Sequence, residues 1–451
     1  MQIHHLTRIA AFCLTLTVSC SPARQTVVTV KENDPHPVQE ALAGAQVGIC
    51  IFDPQTGKFL EEKNAGNYFV PASNIKVLTL FSALETLGDS VPGIRYSIEN
   101  DTVKLLPTGD PSFLNFNFPQ SQPVFSFLQQ HRTKPMVMSV AGWNEKIYGS
   151  GWAWDDYESA FMPERSPFPV YGNVLRWGQQ ITENEEPMFP GDSLTTLSFS
   201  EPEINWSVGF LPSAPDGKFR IHRDRLRNRF LISEGKERSA TTFVPFITDT
   251  VRSGLELLAD SLGASIEITD EWFDRETMQT VFSRPLDSLL RPMMLNSDNF
   301  IAEQLMLLMS NEHLNEFSFG KMRDAVTSVL LNEIPDKLQW VDGSGLSRYN
   351  MATPRSLVWI LNLMQERFGM DRMKQLFATA DEGTLTGYYP NYKGRIFAKT
   401  GSLSNHTALS GYLYTNHGRL LIFSIMIGNH SASGREVRRA VETYLESWLK
   451  K

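Results

Sequence analysis

A serine and a lysine stand three residues apart at Ser73 and Lys76, where an apolar stretch begins that recurs every three or four residues. On a helix this spacing places both side chains on one face. A serine hydroxyl becomes a good nucleophile only when a neighbouring group takes its proton, and an amine with a lowered pKa does this. The pair therefore predicts nucleophilic catalysis by Ser73, with Lys76 as the candidate base.

Spacing alone does not single out this pair, because about one such coincidence is expected in a chain of this size. Ser318 and Lys321 have the same spacing. They begin in a polar segment and enclose Gly320, a poor helix former, so we do not expect them to react.

Two further motifs follow in the chain. Ser297-Asp298-Asn299 precedes an apolar helical pattern and by itself also fits a helix N-cap. Lys399-Thr400-Gly401 lies in a strand-like run before Ser402 and by itself also fits an edge-strand lysine. Together and in this order, Ser-x-x-Lys, Ser-x-Asn and Lys-Thr-Gly are the motif set of acyl-serine enzymes that recognise penicillin. The predicted catalytic residues are Ser73, Lys76, Ser297, Asn299 and Lys399.

Elements that could position these residues lie along the whole chain. Strand-like patterns occupy segments 46–52, 58–63, 396–403, 409–415 and 420–427. Helical periodicity marks segments 73–87, 250–262, 285–309, 322–331 and 434–449. Strands at both ends with helices between them require non-local pairing, so the sequence predicts an α+β fold.

The middle of the chain has a different composition and residue pattern. Between about residues 89 and 248 it has short alternating runs with many prolines, glycines and aromatic residues, which is typical of β structure. We predict a mostly β insert of one or two subdomains at 89–248. A main domain would then consist of residues 21–88 and 249–451.

The first twenty residues have the pattern of an export signal: a weakly basic start, an apolar run over 9–18 that is too short to span a bilayer, and a small-residue end. Residues 17–20 are similar to a lipobox, which predicts lipidation of Cys20. Ordinary cleavage near residues 21–24 is the alternative. Both alternatives place the folded protein outside the cytoplasm, in the periplasm or cell envelope, with membrane attachment only through a lipid.

Composition excludes several classes of function. The 451 residues are 41% hydrophobic and carry a net charge of -8, which offers no basic surface for nucleic acid. The nine histidines form no His-Glu-x-x-His pattern, and no Gly-x-Ser-x-Gly elbow is present. We therefore expect neither a metal nor another cofactor. His406, near the Lys-Thr-Gly motif, is interpreted as a surface or rim residue.

The chain resembles the D-alanyl-D-alanine carboxypeptidase/endopeptidase family, the class C low-molecular-mass penicillin-binding proteins, over nearly its whole length. Besides the three motifs, the similar stretches are 69–73, 109–111, 151–156, 302–303, 342–348 and 399–403. The resemblance implies a penicillin-binding protein/β-lactamase-like transpeptidase domain, an antiparallel sheet with helices. It also implies peptidoglycan stem peptides as substrates and β-lactams as covalent inhibitors.

The resemblance further implies roles for the site residues. Ser73 would attack the carbonyl between two terminal D-alanines, Ser297 would relay a proton to the departing amine, and Asn299 would hold the substrate amide and Lys76. The terminal carboxylate would be bound by Lys399 and Thr400 beside Gly401. The backbone N–H groups of Ser73 and Ser402 would form an oxyanion hole.

A pocket for the stem-peptide side chain is also implied, lined by Asp156 and Phe161 from the insert and by Arg348. Arg348 would pair with a free carboxylate on a diaminopimelate-type residue, although a structural ion pair is the simpler interpretation. At Ser404 relatives can carry a longer polar residue, which leaves the side-chain preference open.

Two rival functions remain at this level. A β-lactamase would use the same acylation residues, but no convincing Glu-x-x-Leu-Asn element for activating the hydrolytic water is found. A non-catalytic penicillin-binding scaffold or sensor would keep the fold without turnover. The preference between carboxypeptidase and endopeptidase activity is open as well.

Overall fold

The computed structural model describes residue 42, residues 44–183 and residues 194–451, so the predicted leader and Cys20 lie outside the described residues. The strands are β1 (Gln46–Asp53), β2 (Lys58–Lys63), β3 (Ser90–Glu99), β4 (Thr102–Pro107), β5 (Met136–Ser139), β6 (Val174–Glu183), β7 (Leu194–Glu201), β8 (Ser207–Leu211), β9 (Arg220–Arg223), β10 (Arg229–Ser233), β11 (Ser239–Pro245), β12 (Glu267–Thr269), β13 (Gln279–Pro285), β14 (Ala378–Thr379), β15 (Ile396–Leu403), β16 (His406–Tyr414) and β17 (Leu420–Gly428). The α-helices are α1 (Lys76–Thr86), α2 (Pro123–Gln130), α3 (Arg252–Leu262), α4 (Asp287–Leu295), α5 (Asn299–Leu314), α6 (Phe319–Val329), α7 (Pro354–Leu376) and α8 (Gly434–Leu449).

The main sheet joins the two ends of the described chain. Its six strands follow the order β14-β15-β16-β17-β1-β2, and β1 pairs antiparallel with β17 so that Ile49 lies opposite Ile425. Successive side chains of a strand point to opposite faces, so both faces of this apolar sheet need cover. Phe397 and Ile422 pack with α1, α4, α5 and α7 on one face. On the other face, Ala398 and its neighbours pack against α8.

The long helix α7 supports the sheet from the first of these faces. Thr353 begins it as an N-cap, since its side chain accepts a hydrogen bond from the backbone N–H of Ser356. Tyr412 of β16 is buried and donates a hydrogen bond of 2.8 Å to the carbonyl oxygen of Leu361. Strand β16, the neighbour of the strand that carries Lys399, is thus tied to the helical layer.

Three smaller sheets form the middle of the chain. A five-stranded sheet has the order β12-β5-β4-β3-β13, and two three-stranded sheets have the orders β11-β6-β7 and β8-β10-β9. Strand β13, which follows residue 248 in the chain, pairs antiparallel with β3. The described residues belong to one compact unit. The division of the chain at residues 88 and 249 stays a prediction.

The α+β fold with an antiparallel main sheet is confirmed, and several elements differ in detail from the sequence patterns. Segment 285–309 is two helices, α4 and α5, because Ser297 has φ 61° and interrupts the helical path. Helix α7 was missed, although it runs over 23 residues. Ser318 lies in the connection before α6 and caps this helix, where its side chain accepts the backbone N–H of Lys321.

Candidate active site

Ser73 lies in a 3₁₀ turn, Ala72–Ile75, that leads directly into α1. Ala72 has φ 47°, in the left-handed region that costs a non-glycine residue about 1 to 2 kcal/mol. Such strain persists only where the surroundings hold it in place. The turn leaves Ser73 half-buried, and the Lys76 side chain follows on the same face.

Lys76 is fully buried, and its Nζ contacts three oxygens. Nζ lies 3.1 Å from Ser73 Oγ and 2.6 Å from Asn299 Oδ1. It also donates a hydrogen bond of 2.7 Å to the carbonyl oxygen of Ser344. Burial lowers the pKa of Lys76 to about 8, against the opposing effect of nearby carboxylates. The amine is therefore close enough to neutrality to accept the proton of the Ser73 hydroxyl.

The Ser297-Asp298-Asn299 motif forms the entrance to α5. Asp298 caps this helix by accepting the backbone N–H of Ile301 at 2.9 Å. This cap fixes the orientation of Asn299, whose Oδ1 faces Lys76 while its Nδ2 donates to the carbonyl oxygen of Phe161 at 3.0 Å. One amide side chain thus connects the lysine to the segment that carries Phe161.

Lys399 enters the site from β15. Its Nζ is 3.0 Å from Ser297 Oγ and donates to the carbonyl oxygen of Thr400 at 2.8 Å. The side chain is fully buried, and burial followed by the positive charge of Lys76 holds the pKa of Lys399 well below its ordinary value. The Thr400 hydroxyl donates to Thr384 Oγ1 at 2.8 Å, which orients it beside the lysine.

The five predicted catalytic residues are therefore brought together by three separate elements. The turn before α1 supplies Ser73 and Lys76, the start of α5 supplies Ser297 and Asn299, and β15 supplies Lys399. Gly401 of β15 packs against the Ser73 turn, and Ser402 follows it as an exposed residue of the strand. Each of two serine hydroxyls thus contacts a buried amine, Ser73 with Lys76 and Ser297 with Lys399, which is suited to nucleophilic attack and proton transfer.

Arg348, Asp156 and Phe161 are the residues predicted to line a side-chain pocket. The exposed Arg348 guanidinium donates a hydrogen bond of 3.4 Å to the carbonyl oxygen of Ser404. Burial and then the negative charge of Asp155 raise the pKa of Asp156, while the charge of Arg348 opposes the shift. Arg348 and Asp156 are thus electrostatic neighbours, and Phe161 is 47% exposed.

His406 follows Ser404 at the start of β16 and is half-buried. Burial, then the charges of Arg348 and His430, lower the pKa of His406. Its interpretation as a rim residue fits this partial exposure and its proximity to Arg348.

Sequence reasoning missed the residues that hold the Lys76 amine through the carbonyl oxygen of Ser344. Ser344 supplies the carbonyl oxygen for Lys76, and its backbone N–H donates to Glu303 at 2.8 Å. Glu303 pairs in turn with Arg165, which lies far from it in the chain. The signals were the similar stretches 302–303, which contains Glu303, and 342–348, in which two glycines flank Ser344. At Gly343 and Gly345 an added Cβ would clash with the backbone of Ala302 and Ala72.

The described ranges contain no group of three or more His, Cys, Asp or Glu side chains that could hold a metal ion. Among the helices of residues 44–183 and 194–451, none is both long and apolar enough to cross a bilayer.

Comparison with known proteins gives consistent results. Residues 30–450 match the model of the D-Ala-D-Ala carboxypeptidase 3 (S13) family. A D-alanyl-D-alanine carboxypeptidase of Actinomadura sp. strain R39 is 25% identical over 432 residues, which cover 87% of this chain and 79% of that protein. The D-alanyl-D-alanine carboxypeptidase DacB of Haemophilus influenzae is 21% identical over 438 residues, covering 88% of each chain.

Solved structures show the same fold. The crystal structure of penicillin binding protein 4 from Haemophilus influenzae superposes with a TM-score of 0.72 at 20% identity and covers 92% of this chain and 99% of that one. A predatory peptidoglycan endopeptidase from Bdellovibrio bacteriovorus superposes with a TM-score of 0.50 at 14% identity, covering 90% of this chain and 92% of that one.

Proposed function

The chain belongs to the D-Ala-D-Ala carboxypeptidase 3 (S13) family and is a serine-type D-Ala-D-Ala peptidase, and we propose that it cleaves peptidoglycan stem peptides through an acyl-enzyme on Ser73. The observation that carries this proposal is the 3.1 Å contact between Ser73 Oγ and the buried amine of Lys76. The same attack opens the amide after a D-alanine at a free stem terminus or at a cross-link. Carboxypeptidase and DD-endopeptidase activity therefore share one mechanism.

In the first step Lys76 Nζ takes the proton of the Ser73 hydroxyl while Oγ forms a bond to the D-alanyl carbonyl carbon. The backbone N–H groups of Ser73 and Ser402 stabilise the oxyanion that develops. Collapse of this intermediate breaks the amide bond, and the departing amine needs a proton. Ser297, whose Oγ lies 3.0 Å from Lys399 Nζ, relays to that amine the proton that Lys76 took from Ser73. Water then hydrolyses the ester on Ser73.

Substrate is held at both ends of the scissile region. Asn299 binds the peptide amide and keeps Lys76 in place through its Oδ1, 2.6 Å from Nζ. Lys399 and the Thr400 hydroxyl bind the terminal carboxylate. Gly401 contributes by having no side chain, since this allows β15 to approach the nucleophile.

Selection of the stem-peptide side chain takes place in the pocket around Arg348. A free carboxylate on that side chain pairs with the exposed Arg348 guanidinium, and an amine beside it meets Asp156. The half-exposed ring of Phe161 covers the aliphatic part. This combination fits a diaminopimelate-type residue.

A mass measurement with benzylpenicillin tests the proposal. The protein lacking residues 1–20, its Ser73→Ala variant and its Ser318→Ala variant are incubated with the drug. Ser318→Ala is the matched control because Ser318 and Lys321 repeat the Ser-x-x-Lys spacing at the start of a helix. A stable gain of one penicillin in the parent and in Ser318→Ala, but not in Ser73→Ala, supports an acyl-enzyme on Ser73.

Other outcomes have different meanings. Without an adduct and with the drug intact, the assignment of Ser73 is wrong. Without an adduct and with the drug consumed, a β-lactamase is the better description. An adduct without release of D-alanine or opening of cross-linked stem peptides would identify a non-catalytic penicillin-binding scaffold.

We also propose that residues 1–20 direct export and that Cys20 is lipidated, which would anchor the enzyme in the cell envelope close to its substrate. Labelled palmitate fed to cells that express the full chain should appear in the protein and disappear in Cys20→Ser. Label that persists in Cys20→Ser would contradict lipidation at this position.

A further inference from the structure

Glu303 lies one helical turn after Asn299 on α5, so the two side chains share a face. Asn299 Oδ1 contacts Lys76 Nζ directly at 2.6 Å. Glu303 Oε1 accepts the backbone N–H of Ser344 at 2.8 Å, and the carbonyl oxygen of Ser344 accepts from Lys76 Nζ at 2.7 Å. Two of the three contacts of the Lys76 amine thus depend on one face of α5.

The second oxygen of Glu303 is engaged as well. Arg165 donates to Glu303 Oε2 from Nη2 at 2.5 Å and from Nε at 3.1 Å. The side chain of Arg165 is 3% exposed and that of Glu303 2%. The Arg165 guanidinium also lies over the ring of Trp152, whose Nε1 donates to Asp342. Arg165 also lies 3.8 Å from a second carboxylate, that of the less buried Glu145. Because a buried charge without a partner is costly, the buried Glu303 depends on its ion pair with Arg165.

We infer that Arg165 and Glu303 are positioning residues for the reaction: their ion pair fixes the Ser344 carbonyl and thereby holds the Lys76 amine against Ser73. This inference rests on the proposed role of Lys76 as the base. Neither residue reaches the nucleophile by a direct hydrogen bond, so both act through Ser344. Structural displacement of the amine by about 1 Å would cost about 100-fold in rate, since proton transfer depends on this geometry.

Glu303 has an electrostatic effect too. The carboxylates that face Lys76 are Asp342, Asp298 and Glu303, and the facing cation is Lys399 on β15. Each of the three carboxylates favours the charged form of Lys76 and raises its pKa. In Glu303→Gln one of these negative charges is lost, so the pKa of Lys76 falls further. The amine then becomes neutral at a lower pH than in the parent protein.

The experiment measures the rate constant of acylation by benzylpenicillin as a function of pH. Glu303→Gln is compared with the double variant Arg165→Met/Glu303→Gln, which leaves no unpaired buried charge. Glu85→Gln is the matched control. Glu85 lies on α1, the helix of Lys76, and pairs with Arg367 of α7 without facing the amine. Melting temperature is recorded for every variant.

Both Glu303 variants should acylate about 10- to 100-fold more slowly on the high-pH plateau. In Glu303→Gln the midpoint of the rise in rate with pH should move to lower pH, and Glu85→Gln should show neither effect. In the double variant the loss of the positive charge of Arg165 opposes this shift, so only the plateau is decisive there. A purely structural role would lower the melting temperature and the active fraction but leave the midpoint in place. If Glu303→Gln does not fold, the double variant decides, and a parental plateau there overturns the inference.

If the proposed role of Lys76 as the base were wrong, the acylation measurements would give a different result. If Lys76→Met retained the plateau and the acidic limb, Lys76 would not be the base and the mechanism itself would be wrong. If Lys76→Met abolished acylation while the Glu303 variants behaved like the parent, only the positioning role would fail.

Discussion

Gly401 lies so close to the turn of Ser73 that a Cβ at this position would stand 3.2 Å from the Ser73 backbone nitrogen and 2.6 Å from the carbonyl oxygen of Pro71. Backbone atoms cannot rotate away as a side chain can. The substitution Gly401→Ala must therefore push β15 away from the nucleophile. We expect acylation by benzylpenicillin to slow by about 10- to 100-fold, since small displacements at a reacting centre have effects of this size.

Gly320→Ala is the control for this change, because a Cβ at Gly320 of α6 would meet nothing within 4 Å. Alanine is a better helix former by about 1 kcal/mol, so this variant should unfold at slightly higher denaturant and acylate normally. Acylation at the parental rate in Gly401→Ala would show that the close approach of β15 does not matter for the reaction.

The pH dependence of acylation follows from the pKa of about 8 at Lys76. Below this pH the amine is protonated and cannot accept the Ser73 proton, and above it the amine is neutral. The acylation rate should therefore rise with pH and level off above a midpoint near 8. Rapid-quench mass spectrometry from about pH 6 to about pH 10 measures this limb. A rate that is constant or falls over this range would contradict a role of Lys76 as the base.

Ser297 allows the loss of function to be separated from a change in stability. Ser297→Ala and Ser297→Gly both remove the hydroxyl that contacts Lys399, so both should acylate about 100-fold more slowly or worse. At φ 61° glycine is unstrained, whereas alanine keeps a penalty of about 1 kcal/mol. Urea unfolding should find Ser297→Gly the more stable variant by roughly that amount. The opposite order would show that the backbone relaxes when the hydroxyl is lost.

Selection of the substrate side chain should depend on Arg348. For stem peptides with a free carboxylate on that side chain, Arg348→Gln should lower kcat/KM by about 10- to 100-fold, the effect of one charged hydrogen bond. Peptides with the amidated side chain should be cleaved almost as before. Arg225→Gln, another exposed arginine, is the control and should affect neither substrate. Equal losses on both substrates would indicate a structural role for Arg348.

Local sequence patterns predicted the bounds of several helices and strands, because these bounds depend mainly on residues that are close in sequence. The bounds of α8 and β2 agree with their periodicity, and the strands near Lys399 were found within a few residues. Helix α7 was missed because its apolar positions are irregular and Gly369 interrupts it with φ 77°. The pairing of β13 with β3 was also not predictable, since a strand pattern does not name its partner.

The candidate site likewise contains residues that local motifs predicted and residues that they did not. Ser73, Lys76, Ser297, Asn299 and Lys399 lie in short motifs. The structure places Ser73 and Asn299 within hydrogen-bond distance of Lys76, and Ser297 within hydrogen-bond distance of Lys399. Arg165 has no such motif around it, and its contact with Glu303 spans 138 residues of chain. Contacts of this kind arise from packing and need coordinates to be found.

Strand β1 pairs with β2 on one edge and, on the other, with β17, which follows β15 in the chain. Ser73 and Lys76 are therefore synthesised before Lys399 on β15, and β1 gains its second neighbour only after β15 has been made. A nascent or truncated chain carries the nucleophile without the amine on β15, and its β1 edge is open to wrong pairing. We therefore expect a chain cut short before β15 to be inactive towards the wall and prone to aggregation.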